Sequence, residues 1–112
     1  MSHDLLEKIL SDSINSDIEA IINFFSNYKK GDFIYPSVLK RHLNIDEKEI
    51  YKILSILEKS NLLKMYYEYF CYNCNRSSGL YEYYSKLPES YICENCEDNL
   101  TLGNVRVVYK VI

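Results

Sequence analysis

Four cysteines carry the most specific chemistry in the chain. Cys71-Tyr-Asn-Cys74 and Cys93-Glu-Asn-Cys96 are two C-x2-C pairs separated by 18 residues. Two intervening residues let both sulfurs of a tight turn face one cation, and two such turns complete a tetrahedral S4 shell. A shell of that kind is closed and leaves no position for water or substrate, so the expected role is structural. The expected ion is Zn²⁺, held by Cys71, Cys74, Cys93 and Cys96. An iron site uses the same ligands at the same spacing. Two disulfides would need an oxidising compartment. A thioredoxin-like redox pair needs one C-x-x-C at a helix start, whereas both pairs here run into turn-like sequence.

Other residues suggest contact rather than reaction. Lys48, Lys52, Ser55 and Lys59 fall on one face of a helix expected over residues 46–60, opposite its apolar stripe. Lys48 and Lys52 are four apart and repel by roughly 0.2–0.5 kcal/mol, so they are not there for helix stability. With Lys40 and Arg41 the face suits phosphate or an acidic protein. It also reads as ordinary solvated surface, and Glu47, Glu49 and Glu58 dilute its field, which favours the solvated reading. Tyr66, Tyr67, Tyr69, Tyr72, Tyr81, Tyr83 and Tyr84 lie along two strand-like stretches. Aromatics on a sheet can stack bases, but a small core without tryptophan, or a protein interface, uses them too. His3 and His42 stand alone in the sequence, no Ser-His-Asp or Cys-His arrangement is evident, and the three glycines form no phosphate loop. The expectation is a protein that is not an enzyme and takes no small-molecule substrate.

Composition points the same way. The chain has 112 residues, 47% hydrophobic, enough for one domain or a small domain with a metal-stapled appendage. Its formal net charge is −3. Residues 71–99 carry five acids against two bases. Four thiolates and one Zn²⁺ add −2, which takes the loaded form to about −5. A dedicated non-specific nucleic-acid binder would be basic. The opening Met-Ser-His-Asp, followed by Glu7 and Lys8, has no signal-peptide pattern. No apolar run approaches a membrane span. The expectation is a cytoplasmic protein with reduced cysteines.

The elements that must position these residues are partly legible. Residues 4–10 read as a short amphipathic helix broken by Ser11-Asp12-Ser13. Ser16-Asp17-Ile18-Glu19 has the capping-box pattern, with Ser16 as the cap. The helix behind it should run to about Tyr28, with Ile18, Ile21, Ile22 and Phe25 inside and Lys29-Lys30-Gly31 at its end. A short extended piece precedes Pro36, which suits the first position of a helix to Leu43. Asp46, with Glu49 three later, caps the next helix, in which Ile50, Ile53, Leu54 and Leu57 face inward. Asn61 can take a left-handed cap, and residues 62–70 read as a strand. Between the cysteine pairs, residues 79–84 and 90–92 can pair as strands across a turn at Lys86-Leu87-Pro88. Residues 105–111 give a last strand.

Helix, short strand, helix, tight turn, helix and strand is the order of a winged helix. Residues 14–70 resemble that superfamily in Pro36-Ser-Val-Leu-Lys-Arg-His-Leu43, Ile45, Ile50, Leu54, Leu57 and Leu62-Leu63. With the cysteines, the whole resembles a winged helix followed by a zinc ribbon, the order found in archaeal TFE and eukaryotic TFIIE-alpha type factors and in some small defence-operon proteins. Ribbons often place glycine after the second cysteine of each knuckle. Here Asn75 and Glu97 stand there; Asn tolerates left-handed backbone and Glu does so less readily. The expected fold is α+β, divided into residues 1–13, 14–70 and 71–112. The resemblance implies a protein-docking adaptor in a transcription or defence assembly. The alternative it implies is a sequence-specific DNA-binding regulator that uses the helix over 46–60. Leu5, Leu6, Ile9 and Leu10 put four large apolar side chains on a helix too short to persist alone. They can fold back against the helix from Asp17 or pack on a protein partner or a second copy, and the contact with another chain is the one expected.

Overall fold

The computed structural model describes residues 1–11 and 17–112. The fold is α+β, with four helices and antiparallel sheets among the described residues. It divides into two compact units. The first comprises Met1–Lys64 and Tyr109–Ile112, and the second is Met65–Val108. Along the chain the second unit is thus nested within the first. Tyr109–Ile112 return to the first unit because their strand has partners there, as described below.

In the first unit, α1 (His3–Leu10) packs on α2 (Ile18–Ser26) and on α4 (Glu47–Lys59), and α3 (Pro36–Leu43) packs on α4. Leu6 and Leu10 of α1 are fully buried, Ile9 is half-buried and Leu5 is 40% exposed. Leu6 and Leu10, expected at an interface with another chain, therefore belong to this unit's own core, because a helix this short persists only with its apolar face covered. Asp17 caps α2 by accepting from the Ala20 N–H at 3.4 Å. The cap expected from Ser16, like Asp12 and Ser13 of the expected break, lies outside the described residues. α2 stops at Ser26 rather than near Tyr28. Ser26 Oγ and Asn27 Nδ2 both donate back to the Asn23 carbonyl, at 2.9 and 3.1 Å, local bonds that compete with further helix. Lys29 and Lys30 accordingly lie beyond the helix end.

α3 begins with Pro36 at its first turn and ends on left-handed Asn44, φ 50°. Asp46 caps α4 through the Lys48 and Glu49 N–H groups, at 2.7 and 3.3 Å. Ile50, Ile53, Leu54 and Leu57 face inward as their spacing requires. Asn61 takes the left-handed conformation, φ 62°, after which β2 (Leu63–Cys71) begins. β1 (Phe33–Ile34) pairs antiparallel with the end of β6 (Val105–Val111), Phe33 opposite Lys110 and Ile34 opposite Tyr109. Gly31 and Asp32 exchange backbone bonds with Val111, both at 2.8 Å. These bonds hold the last residues in the first unit.

Strand order in the main sheet is β1-β6-β2-β3, with β3 spanning Arg76–Tyr81. A separate two-stranded sheet joins β4 (Ser90–Ile92) to β5 (Asn99–Thr101). The expected pairing of 79–84 with 90–92 does not form. Each stretch instead pairs across its own cysteine turn: β3 with β2, and β4 with β5. In each cysteine turn a left-handed residue, Asn75 or Glu97, reverses the chain and sets these pairings. The β2–β3 ladder slips by one residue at Gly79, whose φ of +67° is open to glycine and strained for others.

Candidate metal centre

Each cysteine pair sits at the tip of a hairpin. Cys71 ends β2 opposite Arg76, which opens β3. Ile92 ends β4 opposite Asn99, which opens β5. The chain must reverse within each gap, and it does so with one left-handed residue directly after the second cysteine: Asn75 at φ 57° and Glu97 at φ 61°. The second turn is locked by Cys93 N–H donating to Asp98 O at 2.8 Å and Glu97 N–H donating to Cys93 O at 2.9 Å.

The two turns bring all four sulfurs together. Cys71 Sγ lies 3.4 Å from Cys96 Sγ, and Cys74 Sγ lies 3.5 Å from Cys93 Sγ. The four are within 3.4–3.9 Å of one another. A tetrahedron of sulfurs about 2.3 Å from a central ion has edges of about 3.8 Å. A disulfide would hold two of them at about 2.05 Å. The cysteines are free, and the spacing matches ligands around one ion. Cys71 and Cys93 are buried, while Cys74 and Cys96 are half-buried. Backbone N–H groups of Cys96 and Asn95 donate to the Cys93 sulfur and lower its pKa to about 6, favouring the thiolate that binds metal. At Cys96 the Asp98 backbone bond pulls the pKa down, but the Cys71 sulfur and burial outweigh it and leave it raised.

A small aromatic core stands under the sulfurs. Tyr69, Leu100, Cys71 and Cys93 are its buried members. Tyr91 stacks on Tyr69 at 5.3 Å and Tyr81 meets Tyr69 edge-on at 6.2 Å. The Tyr69 hydroxyl donates to the Pro88 carbonyl. On the same strand Glu68 is buried and satisfied: Arg106 Nε donates to it at 2.9 Å and Ser77 Oγ at 3.1 Å. Arg106 also lies 3.8 Å over the Phe70 ring. Sequence reasoning passed over Glu68 and Arg106. The available signal was a lone acid amid the tyrosines of one strand and a lone arginine in an apolar one.

The other expected site residues do not converge on a reactive centre. Lys40, Arg41, Lys48, Lys52, Ser55 and Lys59 are all exposed on the first unit. His42 is exposed, its ring 5.9 Å from that of Phe24. His3 has Asp4 and Glu7 beside it, all three exposed. Tyr72, Tyr83 and Tyr84 are exposed, whereas Tyr66, Tyr67 and Tyr81 are half-buried. No helix among the described residues is long and apolar enough to cross a membrane.

No protein-family model matches the chain, and no curated protein or solved structure shows significant similarity to it.

Proposed function

We propose that the chain is a non-enzymatic zinc-binding module, a winged helix carrying a zinc ribbon, that acts as a protein-docking adaptor in a transcription or defence assembly. The observation that carries the metal reading is the cluster of four sulfurs at tetrahedral spacing. A shell filled by four thiolates has no open position, so the ion would be structural and the chemistry of the module would lie in what it touches. The winged-helix reading draws support from the order α2, β1, α3, α4, β2, from the short Asn44-Ile45-Asp46 link between α3 and α4, and from β1 pairing with a returning strand. The adaptor reading draws support from exposed apolar side chains on the second unit: Tyr72 at 65%, Tyr83 at 60% and Ile92 at 59%. Three large side chains this exposed on so small a unit are available for contact.

The test is metal analysis of protein purified without added metal. One zinc per chain is expected; a stoichiometry near zero, or a coloured iron protein, rejects the reading. Because binding free energy is partly folding free energy, Cys93→Ser should melt the second unit ahead of the first.

The second reading is a DNA-binding regulator. It is favoured by the exposure of every basic residue on the expected contact face, Lys40, Arg41, Lys48, Lys52 and Lys59, together with Ser55. Exposed Glu47 on the same helix, and the acidic net charge, weigh against it.

A further inference from the structure

We propose that the outer edge of β3 docks an extended, basic segment of a partner protein, which adds to the sheet as one more short strand. This deepens the adaptor reading and rests on it, naming the partner's form and the place it binds.

β3 is the terminal strand of its sheet. It is bonded to β2 on one side, and among the described residues nothing pairs with its other side. Such an edge presents a row of N–H and C=O groups that templates another strand. Proteins commonly blunt edges with charged side chains, above all lysine, with proline or with a bulge. Arg76–Tyr81 contains no lysine or proline, and its one charged side chain, Arg76, stands at the first position of the strand. Its bulge is at Gly79, which leaves Arg76, Ser77 and Ser78 in regular register with Cys71, Phe70 and Tyr69.

A cleft of about 240 Å³ is lined by Arg76, Ser77, Ser78, Glu94 and Asn95. Successive side chains of a strand point to opposite faces. A cleft that touches three residues in succession therefore runs along the strand's edge, and the paired edge is already occupied by β2. The facing wall, Glu94-Asn95, is the middle of the second cysteine turn. The cleft falls below the roughly 300 Å³ at which small-molecule pockets begin, and its polar, open shape suits a backbone.

Charge selects the occupant. Residues 71–99 carry five acids against two bases, and a bound zinc tetrathiolate adds −2. Glu94 is exposed in the wall, with one carboxylate oxygen accepting from the Tyr91 hydroxyl at 3.0 Å. A strand bearing Lys or Arg opposite Glu94 is attracted there; Arg76 on the other wall favours an acid at its own position, so the net acidity of residues 71–99 decides for a basic strand overall. Main-chain bonds would supply affinity and the side chains facing Glu94 and Arg76 the choice of sequence.

The test uses the zinc-loaded full chain to select from a displayed random-peptide library. Enrichment of sequences that mix Lys or Arg with β-branched residues is expected. A synthetic copy of one should slow amide hydrogen exchange at Arg76, Ser77 and Ser78. Adjacent residues send their N–H groups to opposite edges, so one of Ser77→Pro and Ser78→Pro removes only an outward donor and should abolish binding with zinc retained. Glu94→Lys should weaken binding about fivefold, the upper range for an exposed pair. Enrichment of acidic sequences, no enrichment, or protection elsewhere with 76–78 unchanged overturns the proposal. Metal content is measured on the same sample, so full zinc loading with no basic peptide selected rejects the docking site alone and leaves the metal reading standing.

Discussion

Asn75 and Glu97 occupy equivalent left-handed positions, φ 57° and 61°, each directly after the second cysteine of its turn. They differ in how readily the side chain accepts that backbone: Asn does so locally, whereas Glu meets a steric cost of roughly 1 kcal/mol. Glu97→Gly should therefore stabilise the second turn and raise zinc affinity about fivefold, the equivalent of that cost. Asn75→Gly should change it less, and Glu97→Val should lower it. Competition against a chelating dye ranks the three variants. The cysteine set and these two backbone positions were legible in the sequence, because spacing and the steric demands of a short turn are local properties. Glu68 and Arg106 were not, since they meet 38 positions apart only after β2 and β6 have become sheet neighbours.

At the scale of elements, the helices were read well where a cap and an apolar stripe coincide. Asp46, Ile50, Ile53, Leu54 and Leu57 specify α4 together. α2 was read two residues too long, because its end is decided by side chains turned back to Asn23 rather than by the lysines beyond. Strand partners were misread, since a three-residue stretch such as Ser90–Ile92 carries no mark of its neighbour; the cysteine turn chooses it. α1 follows the same logic of necessity. Leu6 and Leu10 are fully buried, so Leu10→Ala should cost about 2–5 kcal/mol of stability. Leu5→Ala should change it by less than about 0.5 kcal/mol, the usual range for a surface site. Chemical denaturation of both variants, followed by the helical signal, checks the contrast. A contact between α1 and another chain would have to be made through Leu5 and Ile9.

For the whole molecule, charge predicts weak affinity for DNA. A chain at −3, and about −5 with zinc and four thiolates, gains little from releasing counterions. Titration against random duplex at physiological salt should give weak binding. Submicromolar, steeply salt-dependent binding that is lost in Lys48→Glu and Lys52→Glu would instead favour the regulator. The nesting of the two units has a consequence for biosynthesis. The first unit includes Tyr109–Ile112, which the ribosome makes after every residue of the second. While the chain is being made, helices α1 to α4 emerge early but lack the strand that pairs with Phe33 and Ile34. Bringing that strand back means closing the whole Met65–Val108 segment as a loop. β2 and β6 are sheet neighbours, so once the segment has folded its two ends leave side by side. Each halving of the floppy span then saves roughly 0.6 kcal/mol of closure entropy. A defect in the fold around the four cysteines would therefore also reach the unit that contains no cysteine, through the order in which these residues are made.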